Sequence, residues 1–497
     1  MEPISRRTAL TLGGIGAGVI VVGGGALAWT QLSTPQPVLP ASTAPAGSAA
    51  SSELQQPAVV RSAGGRLDLT LVAAPSAVTI AGTAVRALTY NAGLPGPTLV
   101  VRGGDVISIR LENHLPDPTN LHTHGLHVSP DGASDNVFRR IDPGASADYR
   151  YEIPATHPPG VFWYHPHHHG MAADQVFGGL YGAIIVEDST PIPVTTERVL
   201  VISDMTFDSS GTIATASQSD RMNGREGATL LLNGQVGATL TAHPGDRERW
   251  RIVNACSSRY LTVTVTGQAL TLLGNDSGRF DEPQAVDGIT LMPGNRADVI
   301  VTMAIGSSTL TVVPVDRGSA GGMGGRRASA SNAVALATVI VAGAPSSIAA
   351  LTKPLMRARD LRAEVVTRER TLTLAMGGMG GGMGGGMGGG MGFTIDGRSF
   401  DPARIDQSVP FATIEQWTIV NTSPMDHPFH LHVWPMQVIS VGPNVTAVPT
   451  WQDVVNVPSG GSTVVRIAFE DFPGTAVFHC HILDHEDNGM MGIIAVA

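Results

Sequence analysis

Apolar residues in this chain come in short runs rich in Val, Ile and Thr, and dense Gly and Pro punctuation breaks them every few residues. That pattern predicts strands joined by turns, and hence an all-β chain of sandwiches. A weak motif recurs three times. The first copy holds Leu94-Pro95-Gly96-Pro97-Thr98, then Gly104-Asp105-Val106 and Asn113. The second runs from Leu232-Asn233-Gly234 through Pro244-Gly245-Asp246 to Trp250-Arg251-Ile252 and Asn254. The third runs from Ile395-Asp396-Gly397 to Trp417-Thr418-Ile419 and Asn421. Each copy returns through a turn that feeds an alternating strand: Asp142-Pro143-Gly144, Met292-Pro293-Gly294 and Val457-Pro458-Ser459-Gly460. A chain of 497 residues divides into about three domains of ~150 residues each. The expected units are 65–190, 191–345 and 346–497, the last with a Gly/Met-rich insertion at 376–392 just before its first strand.

The N-terminus breaks this pattern. Ser5-Arg6-Arg7-Thr8-Ala9-Leu10 precedes an apolar, Gly/Ala-rich run from Leu12 to about Trp29. Residues 1–29 resemble a Tat-type signal, with Ala26-Leu27-Ala28 as a cleavage site. The Tat export machinery is then a partner, and the expected location is periplasmic, cell-envelope associated or secreted. Residues 30–64, rich in Pro, Ala and Ser, read as a linker.

Net charge is −10 without a long basic tract, which argues against nucleic acid as a partner. The two cysteines, Cys256 and Cys480, exclude a disulfide framework if one binds metal. Cys256 ends a strand-like run and is expected as a small buried hydrophobe.

Cys480 lies in Phe478-His479-Cys480-His481-Ile482-Leu483-Asp484-His485-Glu486-Asp487-Asn488-Gly489-Met490. Cys480, His485 and Met490 supply three donors of a blue-copper centre, whose second histidine must come from elsewhere. If the run is a strand, His479 and His481 face away from Cys480 and are free to hold another metal. The first domain offers a comparison in Phe162-Trp163-Tyr164-His165-Pro166-His167. Pro166 stands where Cys480 stands, and Gly179-Leu180-Tyr181-Gly182 where Gly489-Met490-Met491-Gly492 stands. The first domain therefore keeps the imidazoles without the sulfurs, and the second has only His243 and no cluster.

Two further clusters complete the set: His122-Thr123-His124-Gly125 and His427-Pro428-Phe429-His430-Leu431-His432. With these in order, the chain resembles a three-domain bacterial multicopper oxidase, similar to copper-efflux (cuprous) oxidases and laccases, over roughly Leu67 to Ala497. The resemblance implies three consecutive cupredoxin-like Greek-key β-sandwich domains and four copper ions. It implies a type 1 copper on His427, Cys480, His485 and axial Met490, and a type 2 copper on His122 and His430. The type 3 pair would take His124, His165, His167, His432, His479 and His481. Glu486 and Asp135 match acids that relay protons to the trinuclear site, and Cys480 would join the two centres. The implied activity couples one-electron oxidation of a substrate to four-electron reduction of O2 to water, in a chain expected to be a monomer.

The expected reductant is Cu(I). Met376, Met379, Met383, Met387 and Met391 are spaced by glycines, and thioethers are soft ligands that choose Cu(I). Met323 lies in a similar stretch. Met425 matches a substrate-binding position of the copper-efflux oxidases. Ser423 stands where they carry an aspartate; either Asp426 is its substitute or the substrate site differs here. The alternative reductant is a small phenol or aromatic amine, as for a laccase. Of the remaining histidines, His168 and His169 are expected outside the ligand set, and His114, His127, His157 and His243 as structural or exposed.

Overall fold

The computed structural model describes residues 52–319, 332–349, 359–378 and 391–497. The twin-arginine segment, Met323, Met379, Met383 and Met387 lie outside them. The described strands form six sheets, which enclose apolar cores as three sandwiches. Strand order repeats from one sandwich to the next. Thr83–Tyr90, Arg66–Ile80, Val106–Asn113 and Ser146–Glu152 lie side by side in the first. Thr229–Leu232, Thr196–Met205, Arg247–Asn254 and Arg296–Thr302 repeat that order in the second. Met391–Ile395, Arg368–Gly378, Thr413–Asn421 and Ser462–Phe469 repeat it in the third. In each set the middle two strands are parallel. The period of two is plain in Ser462–Phe469, where Thr463, Val465, Ile467 and Phe469 are buried and the residues between are not.

The three repeated asparagines do the same work. Asn113, Asn254 and Asn421 end equivalent strands, and each side-chain amide donates to two backbone carbonyls across the loop that follows. Each side-chain oxygen accepts the N–H two residues on. The buried loop is thereby satisfied without a regular ladder.

The facing sheets carry the function. His122–His124 and Gly160–His165 in the first sandwich are equivalent to His427–Leu431 and Gly474–Cys480 in the third. Their counterparts in the second, Leu261–Val265 and Gly306–Pro314, carry no histidine.

Two sequence expectations need correction. Part of 30–64 is not linker: Val59–Arg61 pairs parallel with Thr98–Val101, and Leu54 is buried in the second domain's core. Composition marks this segment as polar and Pro-rich but cannot reveal a neighbouring strand edge. The Gly/Met run does not precede the third sandwich. Met376 lies inside its first strand, Arg368–Gly378, and Met391 opens the strand paired with it, so the run links two sheet neighbours.

The domains meet through apolar and ionic contacts. Trp163, Ala173 and Val176 of the first domain pack with Val201, Met205 and Val253 of the second and Leu483 of the third. Nearby, Asp298 is buried among Arg249, Arg251 and Arg279, while Asp188, at the end of the first domain, pairs with Arg249 and Arg279. Burial alone would push the Asp298 carboxyl up, but the three guanidinium groups outweigh it and hold it far below the ordinary carboxylate range. Its stabilisation is therefore complete above about pH 4, the unfolded value, and is lost as pH falls below it. Asp298→Asn should cost about 3–5 kcal/mol, because it strands buried cations. The variant should melt lower at pH 7 and lose less further stability on acidification. Unfolding curves at pH 7 and pH 3 check both; equal acid sensitivity of the two proteins would remove Asp298 as a source of acid lability.

Candidate metal centres

Two strands of each outer domain bring the imidazoles together. His122 lies opposite His165 across an antiparallel pair. Side chains alternate, so His122 and His124 share a face. In the third domain His430 lies opposite His479, and Phe429 opposite Cys480. The same alternation places His430 and His479 on one face, with His427 and Cys480 on the other. One strand pair thus serves two separate centres.

The sulfur-bearing centre is assembled by His427, Cys480 and His485, all fully buried. Cys480 Sγ lies 3.3 Å from His427 Nδ1 and 3.7 Å from His485 Nδ1. The outer nitrogens are held in place: His427 Nε2 meets Ser423 Oγ at 2.7 Å, and His485 Nε2 meets the Met222 carbonyl at 3.1 Å. Met490 is buried in the same core, and its carbonyl accepts the Cys480 N–H at 3.0 Å. Burial pushes the Cys480 thiol up, so a cation must displace its proton to bind.

The second centre lies between the first and third domains. Nε2 of His167, His432 and His479 are 3.0, 3.1 and 3.2 Å apart. His124 and His165 come next, with the His481 ring 4.9 Å and 5.8 Å from theirs. His122 stacks on His432 at 4.0 Å and His124 on His430 at 3.9 Å. All eight rings are buried. Burial first, and then neighbouring imidazoles, lower the pKa values of His122, His165 and His167, His165 to about 3; burial and then Arg296 lower His430, despite Asp453, to about 4. They are neutral at pH 7, as metal ligation requires.

The outer nitrogens of His122, His165, His430 and His479 have fixed partners. His122 Nδ1 lies 2.9 Å from Asp135, and His165 Nδ1 2.8 Å from the Pro166 carbonyl. His430 Nδ1 lies 2.7 Å from the Asp453 carbonyl, and His479 Nδ1 3.1 Å from that of Cys480. Nε2 of His122, His124, His165 and His430 and both nitrogens of His481 are buried without a partner among the described residues. Buried polar atoms without partners need an explanation. Imidazoles oriented through one nitrogen, with the other lone pair bare and convergent, fit bound metal. Imidazole, thiolate and thioether donors in these proportions fit copper.

Two acids flank the cluster. Burial raises Asp135 to about 7, against hydrogen bonds from the Thr123 N–H and hydroxyl. Glu486, from the short helix Leu483–Asp487, lies 3.1 Å from His479 Nδ1 and 3.6 Å from His167 Nε2. Burial, and then Asp487, push it well up. Both acids can hold a proton near neutral pH.

Sequence reasoning missed the second domain's part. Arg296 is fully buried and grips Asp453 of the third domain with two bonds of 2.6 Å. It also donates to the Val161 carbonyl of the first domain and lies 3.3 Å from His124 Nδ1. A Cβ on Gly125 would meet both Arg296 and Asp453 at 2.2 Å, and one on Gly294 would meet the His481 ring at 2.9 Å. The available signal was a charged residue opening the apolar strand Arg296–Thr302.

The substrate candidates scatter. Met376 is half-buried and lies opposite Phe393, whose ring stacks on His485 at 4.5 Å. Met425 is fully buried. The Asp426 oxygens accept from Asn456 and the Ser459 N–H at 2.9 and 2.8 Å. His168 approaches Arg140 and His169 packs on Phe400, both outside the cluster. Cys256 is a buried free thiol in the second domain's core.

Comparison with known proteins agrees with this geometry. Multicopper oxidase family models match residues 73–191, 196–316 and 379–497. A multicopper oxidase of Staphylococcus aureus is 28% identical over 424 residues, covering 82% of this chain and 83% of its own. A copper resistance protein A homolog of Pseudomonas syringae is 29% identical over 304 residues, covering 51% of this chain and 50% of its own. The structure of a Campylobacter jejuni multicopper oxidase, described as a metallo-oxidase, superposes with a TM-score of 0.78 at 30% identity, covering 90% of this chain and 95% of that one. Three sandwiches, two buried donor clusters and three successive family matches converge: the chain belongs to the multicopper oxidases.

Proposed function

We propose that this chain is an exported cuprous oxidase that holds four copper ions. His427, Cys480, His485 and Met490 would hold the type 1 ion. His122 and His430 would hold the type 2 ion, and His124, His165, His167, His432, His479 and His481 the type 3 pair. Copper held there would supply one-electron redox chemistry, coupling single-electron oxidation of a substrate to four-electron reduction of O2 to water. Cys480 and its chain neighbours His479 and His481 give the two centres a continuous covalent path. Asp135 and Glu486 hold protons beside His122 and His479. Arg6 and Arg7 support Tat export to the cell envelope or beyond.

One observation carries Cu(I) as the substrate. Met376, the first methionine of the Gly/Met run, lies opposite Phe393, whose ring stacks on His485, so the run is rooted beside a proposed type 1 ligand. Both type 1 imidazoles are buried with their outer nitrogens occupied, which favours a small soft ion delivered by sulfur over direct contact with an aromatic ring.

Cys480→Ser should abolish the blue absorption and turnover while the eight-histidine site still takes up copper; normal substrate oxidation by this variant would overturn the scheme. Glu486→Gln and Asp135→Asn should each slow O2 reduction by about 10²-fold with the blue band intact. Stopped-flow reoxidation of reduced enzyme reads this directly, and an unchanged rate removes that acid from proton delivery. Shortening 379–390 to a tight turn should depress O2 uptake driven by Cu(I) while phenol oxidation holds or rises. Equal rates on both reductants would exclude the run from substrate delivery.

A further inference from the structure

Arg317 belongs to the second domain, yet it holds both type 1 histidines through their neighbours. Its carbonyl accepts the N–H of Asp426, the residue before His427, at 2.7 Å. Its Nη2 donates to the carbonyls of Asn223 and Gly224 at 2.5 and 3.5 Å. These follow Met222, whose carbonyl meets His485 Nε2. Gly224 is crowded there: a Cβ would meet Ile482 at 2.5 Å, two residues from Cys480.

The guanidinium is about 5% exposed, and its charge is poorly balanced. Its nearest carboxylate, Glu226, lies 3.5 Å away and is shared with Arg259 at 3.2 Å. Among the described residues, Nε and Nη1 of Arg317 have no hydrogen-bond partner. An arginine keeps its charge when buried, and that charge acts over several ångströms where water is excluded. The guanidinium is bonded to the carbonyls one and two residues beyond Met222, whose own carbonyl meets His485 Nε2, so a fixed cation stands close behind that imidazole.

We infer that Arg317 is a positioning residue whose under-neutralised charge raises the reduction potential of the type 1 copper. Reduction lowers the positive charge of the site, so a nearby fixed cation favours the reduced state. The inference rests on the proposed assignment of His427, Cys480 and His485 to a type 1 copper; a copper-loaded wild type without a blue band would defeat that assignment itself.

The test is redox titration of the blue band in copper-loaded, full-length protein. Arg317→Gln should lower the potential, while Arg317→Lys, which keeps the charge, should stay closer to wild type. Glu226→Gln should shift the potential the opposite way, upward, because it leaves Arg317 less balanced. Glu226 is partly exposed, so this variant does not depend on the tolerance of a buried site. A potential that falls or stays fixed in Glu226→Gln, or falls equally in both Arg317 variants, overturns the charge effect.

Discussion

The Arg296–Asp453 pair is the contact on which the site depends. A fully buried ion pair is expensive to desolvate, and replacing it by apolar residues often costs nothing in stability. Here the pair does what apolar contact could not. Arg296 comes from the second domain, Asp453 from the third, and the same guanidinium reaches the Val161 carbonyl and His124 in the first. Asp453 also presents its carbonyl to His430 and takes the Ser277 hydroxyl at 2.9 Å. Directional bonds from one planar group thus set the distance between two domains that each supply half of the imidazoles. Gly125 follows from the same constraint, since no side chain fits against the pair.

Around this contact the protein solves a charge problem. Eight imidazoles in a dry space cannot all be protonated, and burial keeps them neutral. Their bare lone pairs then repel one another unless cations sit among them. The acids at the edge do the reverse. Burial also raises Asp135 and Glu486, so one physical cause leaves the imidazoles bare and lets the neighbouring acids hold a proton near neutral pH. The second domain, which has no cluster, supplies the fixed charges Arg296 and Arg317 and the Met222 carbonyl.

The period of a β-strand explains how two centres share one segment. Cys480 and His479 are adjacent in sequence and point to opposite faces, so each meets a different member of the strand His427–Leu431. In the first domain the equivalent place is Pro166, which offers no donor, and that domain serves the imidazole centre only.

Much of this was legible in the chain because it is local. Alternation marks the strands, and the positions of Asn113, Asn254 and Asn421 reveal three copies of one unit. The HxH pairs put both imidazoles on one face at a fixed spacing, so the histidine clusters follow from periodicity and family resemblance. What stayed hidden depends on residues far apart in sequence. Val59–Arg61 looked like linker because its strand partner lies elsewhere in the chain, and Met376 looked like loop for the same reason. Arg296 and His124 are 172 residues apart, Arg296 and Asp453 157, and Met222 and His485 263. The sequence by itself determined the three sandwiches, the donor types and their faces. Only the tertiary structure decided which carbonyl orients each imidazole and which charges lie beside the centres, because those depend on how three separately patterned cores dock, and no local period encodes that.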